Sequence, residues 1–279
     1  MILNMNPDFK IINLYSGSKG NCTLIRSKNT AILIDAGKSA AALCSALNSV
    51  GEDIRNIRAI FVTHEHTDHV SSLAVLSKKH HIPIHATESS ASKIIAVAGQ
   101  GSVLSSCLHI HTPIYTEKVC GDDGEEFAVR SFPTPHDSLS SVGYRVELLS
   151  KSDSESNVIH SFGYATDTGC VTDDMINGLG GCESVIIEAN HDIDMLLNGP
   201  YPHDLKMRIM SNRGHLSNYD CATLAQTLVK KGTKNFLLAH LSEENNTPEA
   251  AFWTVRRHIS NNDIGIFVAS PNRATILAL

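Results

Sequence analysis

Residues 61–70 read FVTHEHTDHV, so His64, His66, Asp68 and His69 fall within six positions, directly after a β-branched apolar run. Packing alone does not ask for this, because a buried imidazole or carboxylate without a partner costs free energy. Two residues apart on extended chain, His64 and His66 point the same way. Asp68 and His69 then open the next helix beside the positive end of its dipole. Clustered imidazoles and a carboxylate leaving the carboxyl end of one strand are a divalent-metal ligand set. Adjacent histidines elsewhere, such as His80 and His81, sit in solvent without such a role.

One motif cannot close a two-metal site, so further ligands are expected after later strands. His136 follows Phe127–Phe132 in SFPTPHDS, Asp167 follows Val158–Ala165 in GYATDTG, and His240 follows Asn235–Ala239 in FLLAHLSEEN. Each alone is an unremarkable polar residue at a strand end. Their repeated placement is the signal.

The elements that must position them are read from apolar periodicity. Strands are expected at Ile11–Tyr15, Cys22–Arg26, Ala31–Ile34, Ala59–Thr63, Pro83–Ala86, Phe127–Phe132, Val142–Leu149, Val158–Ala165, Ser184–Glu188, Asn235–Ala239, Ile264–Val268 and Thr275–Leu277. Helices are expected at Ser39–Val50, Asp68–His80, Glu88–Ala98, Asn218–Lys230 and Pro248–His258, with KSDSESN at 151–157 a polar hairpin loop. Strands precede mixed strand and helix in both halves, with no low-complexity linker. The pattern implies two sheets packed face to face with helices outside, in a single domain spanning 1–279.

Composition narrows the function further. With 29 acidic against 23 basic side chains the formal charge is −6, so no overall positive field draws the chain onto nucleic acid or anionic lipid, and a phosphate-bearing substrate must be held by local groups or metal. The N-terminal MILNMNPDFK has no basic stretch followed by a long apolar core, and no later run reaches the length of a membrane span, so a soluble, cytoplasmic protein with no membrane partner is expected. Seven scattered cysteines, never as CxxC, read as reduced thiols. Aromatic residues make up 5%, and the sole tryptophan, Trp253, is expected in the core, so no base-stacking platform is foreseen.

HxHxDH followed by a strand-end His, Asp and late His resembles the metallo-β-lactamase superfamily, whose first motif, an aspartate ending an early strand, is matched by Asp35 in AILIDAG. The resemblance implies an α/β fold, a four-layer αββα sandwich, with two divalent ions, zinc or manganese, or iron. By it His64, His66 and His136 hold one ion, Asp68, His69 and His240 the other, Asp167 bridges them, and Asp35 orients a ligand from behind. No cysteine stands at a ligand position, which sets the chain apart from β-lactam-hydrolysing members. YSGSKGNCTLI (15–25), IEANHDIDML (187–196) and RIMSNRGHLSN (208–218) are similar to the YycJ/WalJ-type branch of nucleases and phosphodiesterases.

That branch implies a phosphodiesterase or nuclease, exonuclease-like on DNA, in which a hydroxide shared by the metals attacks the phosphodiester and Asp68 and His215 serve the reaction. His215 is the expected proton donor or phosphate clamp, helped by Arg213 or Arg208. In SGSKGN the glycines permit a turn whose N–H groups could cup a phosphate, with Ser18, Lys19 and Asn21 in substrate contact, although an ordinary hairpin turn reads the same way. His191 supports the metal shell or contacts substrate. The expected partner is nucleic acid or a small phosphodiester. Two alternatives carry weight at this level: a thioesterase or lactonase with the same metals, and a non-catalytic metal-binding scaffold.

Overall fold

Runs such as AILI and SVIIE show no period-two alternation because each is buried on both faces. In a computed structural model, which describes residues 9–28, 30–99, 101–121, 125–151 and 156–277, they lie at the centres of two seven-stranded sheets. The first holds β1 (Lys10–Tyr15), β2 (Cys22–Arg26), β3 (Ala31–Ile34), β4 (Ile57–Phe61), β5 (Ile84–Thr87) and β6 (Leu108–His111), with β14 (Thr275–Leu277) beside β1. The second runs in order from β7 (Thr116–Cys120) through β8 (Glu126–Pro133), β9 (Val142–Lys151), β10 (Ser156–Ala165), β11 (Ser184–Glu188) and β12 (Asn235–Ala239) to β13 (Gly265–Val268).

Alternate side chains of each sheet serve different layers. Ile32 and Ile34 of β3 meet Phe127, Tyr144, Phe162, Ile186 and Leu237 in the core between the sheets. Leu33 of the same strand faces outward against α1 (Ala40–Ser49) and α3 (Leu73–His80). Between these two helices lies α2 (Thr67–Val70), and α4 (Glu88–Ala98) and α5 (Val103–Cys107) complete that layer. The second sheet is covered by α6 (Asp173–Leu179), α9 (Asn218–Lys230) and α10 (Pro248–His258), while α7 (Ile193–Asn198) and α8 (His203–Ile209) lie between β11 and α9 in the chain. This is the expected αββα sandwich.

Strand direction decides where chemistry can gather. β3, β4, β5 and β6 are mutually parallel, as are β10, β11, β12 and β13. β8 is antiparallel to β9, which is antiparallel to β10, so β8 and β10 run the same way. The loops after β3, β4, β8, β10, β11 and β12 therefore carry every residue expected to hold or support the two ions, and open α/β sheets bind ligands at such carboxyl ends.

Three differences from the sequence expectation have physical causes. The helix expected over Asp68–His80 breaks into α2 and α3, because the N–H and hydroxyl of Ser72 both turn back to the Ala36 carbonyl (3.0 and 2.8 Å). Trp253 is not core: it is 53% exposed, since α10 buries Ala251 and Val255 on its other face. Apolar periodicity also misses β6 and β7, short strands interrupted by His109 and His111 and by Thr116, Glu117 and Lys118. Of the hairpin loop at 151–157, residues 152–155 lie outside the described residues, and Lys151 pairs with Ser156 across antiparallel β9 and β10. No helix among the described residues is long and apolar enough to cross a membrane.

Gly37, just after β3, is a point of close approach: a Cβ there would lie 1.5 Å from the Asp68 carbonyl oxygen. Both neighbours are backbone, so nothing can swing aside. Gly37→Ala is expected to destabilise by about 3 kcal/mol or more, lowering the thermal midpoint by several degrees and shifting the loop that holds Asp68. Thermal unfolding with metal analysis checks this, and an unchanged midpoint would show that the backbone has room to move.

Candidate metal centre

The loop after β4 enters α2 with His66 at the N-cap and Asp68 in the first turn. It is tied to its surroundings by backbone: the N–H of Asn21 donates to the Asp68 carbonyl (2.8 Å) and that of Ala36 to the His69 carbonyl (2.8 Å). His64, His66 and His136 bring three ring nitrogens within 4.8 Å of one another, and Asp68, His69 and His240 do the same with one carboxylate oxygen and two ring nitrogens. Asp167 lies between the two sets, its carboxylate oxygens 3.3 Å from His69 Nε2, 3.4 Å from His240 Nε2 and 3.9 Å from His136 Nε2. The chain thus brings all seven expected ligands together.

Four of the five imidazoles, all but His66, have their other nitrogen engaged by the protein. His69 Nδ1 is 2.8 Å from Asp35 Oδ2, and His240 Nδ1 is 2.9 Å from Glu188 Oε1. His136 Nδ1 donates to the Gly214 carbonyl at 3.1 Å. His64 Nδ1 meets the Thr63 hydroxyl at 3.0 Å, and that hydroxyl is committed to Asp35. The network puts a proton on the Nδ1 of each of these four rings and leaves each Nε2 facing the centre, the arrangement by which a hydrogen-bonded carboxylate or carbonyl fixes a ligand histidine.

Sequence reasoning did not single out Glu188. Fully buried at the end of β11, it accepts from His215 Nδ1 (2.7 Å) as well as His240, while its other oxygen accepts the N–H groups of Thr168 (3.0 Å) and Leu216 (3.1 Å). The signal was in the text: a glutamate closing the otherwise apolar SVIIE cannot be buried without cationic or N–H partners. Those partners hold its carboxyl down to about 2 against the opposing effect of burial.

Of the remaining expected residues, His215 lines the cleft, a cavity of about 530 Å³, together with Ser18, Lys19, Asp68, Tyr201, Leu205 and Arg208. Burial would lower the His215 imidazole, but the Glu188 carboxylate holds it above its ordinary value. Lys19 is paired with Glu243 at 2.5 Å, and Arg208 with Asp137. Arg213 reaches the backbone instead, donating to the carbonyls of His136 (2.9 Å) and Ser138 (3.1 Å), which braces the His136 loop. His191 is buried beside this shell, its strand-like segment bridged to Ser217, and bonds to no ligand imidazole among the described residues.

Asn21 lies beneath the cleft rather than in it. It is 1% exposed, and its amide bonds Gly17, Asp68 Oδ2 and His69 Nε2. The glycine turn before it is closed by Gly20 N–H donating to the Gly17 carbonyl, and Ser16 accepts the His240 N–H at 2.7 Å. The SGSKGN turn therefore holds two ligand loops in place, with Ser18 and Lys19 at the cleft wall. A second cavity of about 560 Å³, lined by Arg26, Lys28, Arg55 and Arg58, lies at the opposite rim beside the starts of β3 and β4 and gathers no ligand cluster.

A cation set fits these residues. The buried Asp167 Oδ2 and His240 Nε2 have no hydrogen-bond partner, a cost that a coordinated cation would remove. Imidazole and carboxylate donors without thiolate suit zinc, manganese or iron. An αββα sandwich with such a ligand cluster at one rim defines a metallohydrolase of the β-lactamase type. The family model described as Beta-lactamase superfamily domain matches residues 30–241, and the chain belongs to that superfamily, whose fold implies divalent metal ions.

Within it, the chain is 35% identical over 275 residues to the Exodeoxyribonuclease WalJ of Streptococcus pneumoniae, covering 96% of this chain and 97% of the relative. It is 31% identical over 253 residues to the Exodeoxyribonuclease YycJ of Bacillus anthracis, covering 91% of this chain and 90% of the other. Among solved structures, the metallo-β-lactamase fold protein YhfI of Bacillus subtilis superposes with a TM-score of 0.68 at 15% identity over 96% of this chain and 99% of its own, which supports the fold.

Replacing Glu188 by Gln should keep the shape but release two imidazoles, weakening metal affinity by roughly 10–100-fold, as measured by competition with a chelating dye. Retained affinity would show that Glu188 does not orient the shell. A second expectation concerns pH. Burial would lower His240, but Asp167, Asp68 and Glu188 push it up to about 10. In the metal-free protein its proton contributes stability that is full below about pH 6.5 and is lost as pH rises through about 10. Metal must displace that proton, so loading at pH 7.5 should release at least one proton and tighten as pH rises, which calorimetry in buffers of different ionisation enthalpy tests. Proton-neutral loading would refute the assignment.

Proposed function

We propose that the protein is a phosphodiesterase using two divalent ions, zinc or manganese, and acting on DNA as an exonuclease. The observation that supports it most is the convergence of seven ligand side chains at one rim, in a chain similar over nearly its whole length to proteins named exodeoxyribonucleases. His64, His66 and His136 would hold one ion, Asp68, His69 and His240 the other, with Asp167 shared. When bound, such ions supply a water ionised near neutral pH and neutralise charge developing on phosphorus.

The chain's own groups do the rest. His215 faces the cleft with its Nδ1 held by Glu188, so a proton on Nε2 points toward substrate and can pass to the departing sugar oxygen. Arg208 and Lys19 flank the cleft, each held by a carboxylate, and a substrate phosphate competes with Asp137 and Glu243 for them. Tyr201 lines the same cleft.

The test pairs metal analysis with digestion of end-labelled DNA and RNA. Wild type should carry about two ions and shorten DNA from an end, whereas Asp68→Ala should lose activity by at least 100-fold with its fold intact by circular dichroism. His215→Ala should keep its metal and lose about 10²–10⁴ in kcat. Cleavage undiminished in Asp68→Ala would overturn the scheme.

A further inference from the structure

A second constellation of potential ligands lies away from the cleft, on the inner face of the first sheet where it ends. His85 on β5 stands opposite His109 on β6, and Thr87 opposite His111. The His85 ring stacks on Phe61 (4.6 Å between centroids) on one side of the sheet core and sits 4.8 Å from the His109 ring and 5.3 Å from that of His111. His111 in turn stacks on Tyr115 at 3.9 Å, just before β7. His85 Nδ1 and His111 Nε2 approach to 3.0 Å, and a carboxylate oxygen of Glu117, on β7 of the other sheet, joins them so that all three ligand atoms lie within 4.8 Å of one another.

From this geometry we infer a third metal site, separate from the cleft, in which His85, His111 and Glu117 bind one zinc-like transition ion and clip the free edge of one sheet to that of the other.

Zinc–nitrogen bonds of about 2.0–2.1 Å in a tetrahedral shell place two imidazole nitrogens roughly 3.3 Å apart, so the His85–His111 pair needs to open by only a few tenths of an ångström. In the metal-free state one of these two nitrogens carries the proton of the N–H···N bond, and for an ion to bind both, that proton moves to the other nitrogen of its own ring, leaving two neutral imidazoles with lone pairs toward the ion. Metal requires neutral imidazole, and burial among neighbouring histidines keeps His85 neutral, at about 3, with His111 also lowered. His85 is 4% exposed and held on Phe61, while His111 and Glu117 are half-buried, so the site has both a rigid floor and an entry path. His109 is exposed and stacked on His85, with no ligand atom in the cluster. Two imidazoles and one carboxylate from strands β5, β6 and β7 leave a fourth position for water.

The location gives the ion a structural task. β6 and β7 are edge strands of different sheets, with unpaired backbone on their outer sides. An ion held by both joins the sandwich where no hydrogen-bonded ladder does.

The experiment is calorimetric titration of zinc into the full chain already saturated at the cleft, with the thermal midpoint followed in parallel. Wild type should take up about one further equivalent, and its midpoint should rise with added zinc. His111→Ala should lose that equivalent. Glu117→Gln, isosteric and at a half-exposed position, should bind it at least tenfold more weakly, and DNA cleavage should be unchanged in both. A wild type that takes up no further zinc, or a His111→Ala protein that takes it up equally well, would overturn the site.

Discussion

Four of the five candidate ligand imidazoles spend one ring nitrogen on the protein so that the other can face the candidate metal centre. This constraint organises the site. Asp35 and Glu188 stand at the ends of β3 and β11, one in each sheet, and each does two things with two oxygens. Asp35 accepts the Thr63 N–H (2.8 Å) and the His69 ring, locking the loop after β4 to the end of β3. Glu188 accepts the N–H groups of Thr168 and Leu216 and two rings, locking three loops together. A fully buried carboxylate costs several kcal/mol unless paired and hydrogen-bonded, and both are saturated. Position and polarity of the centre are thus set by the same bonds.

The backbone shows what this convergence costs. Asp35, Asp167 and His240 all adopt left-handed conformations, with φ of 61°, 55° and 56°. Among non-glycine residues such values are uncommon and carry of order 1 kcal/mol or more of strain. Each of the three is the first or second residue past a strand that would otherwise run on into solvent. The left-handed turn brings the side chain into the cluster at the rim, where Asp35 meets His69 and Asp167 meets His240. Ser16 accepting the His240 N–H and Phe61 accepting the Asp35 N–H hold two of these turns from outside. The strain sits at the centre and the bonds that tolerate it come from neighbouring loops.

This division explains what was legible in the sequence. The ligands are strong signals because imidazole and carboxylate at successive strand ends have no bland use, and the apolar runs that deliver them locate the central strands to within a residue or two. The supporting shell is nearly silent. Asn21 reads as a substrate contact in a phosphate-cupping turn, yet its amide is buried against Asp68 and His69, because which way a side chain turns depends on a contact 47 positions away. Glu188 reads as the polar end of a strand. Arg213 looks like a phosphate ligand and serves the backbone of the His136 loop. Trp253 shows the opposite failure: size alone suggested burial, but helical register put it on the outer face.

The cleft's charge balance follows from the same economy of partners. Its two long cations, Lys19 and Arg208, are already neutralised by Glu243 and Asp137, and the whole chain carries −6. Neither side chain therefore adds uncompensated positive charge that would hold a polyanion at a distance, so positive potential at the centre has to come from the ions themselves, where it acts over short range and on the phosphate being cut. On the proposed reading, only substrate groups that reach the centre meet a net attraction. The carboxylates beside Lys19 and Arg208 sharpen that distinction, since phosphates further along the strand gain little from cations whose charge is spoken for.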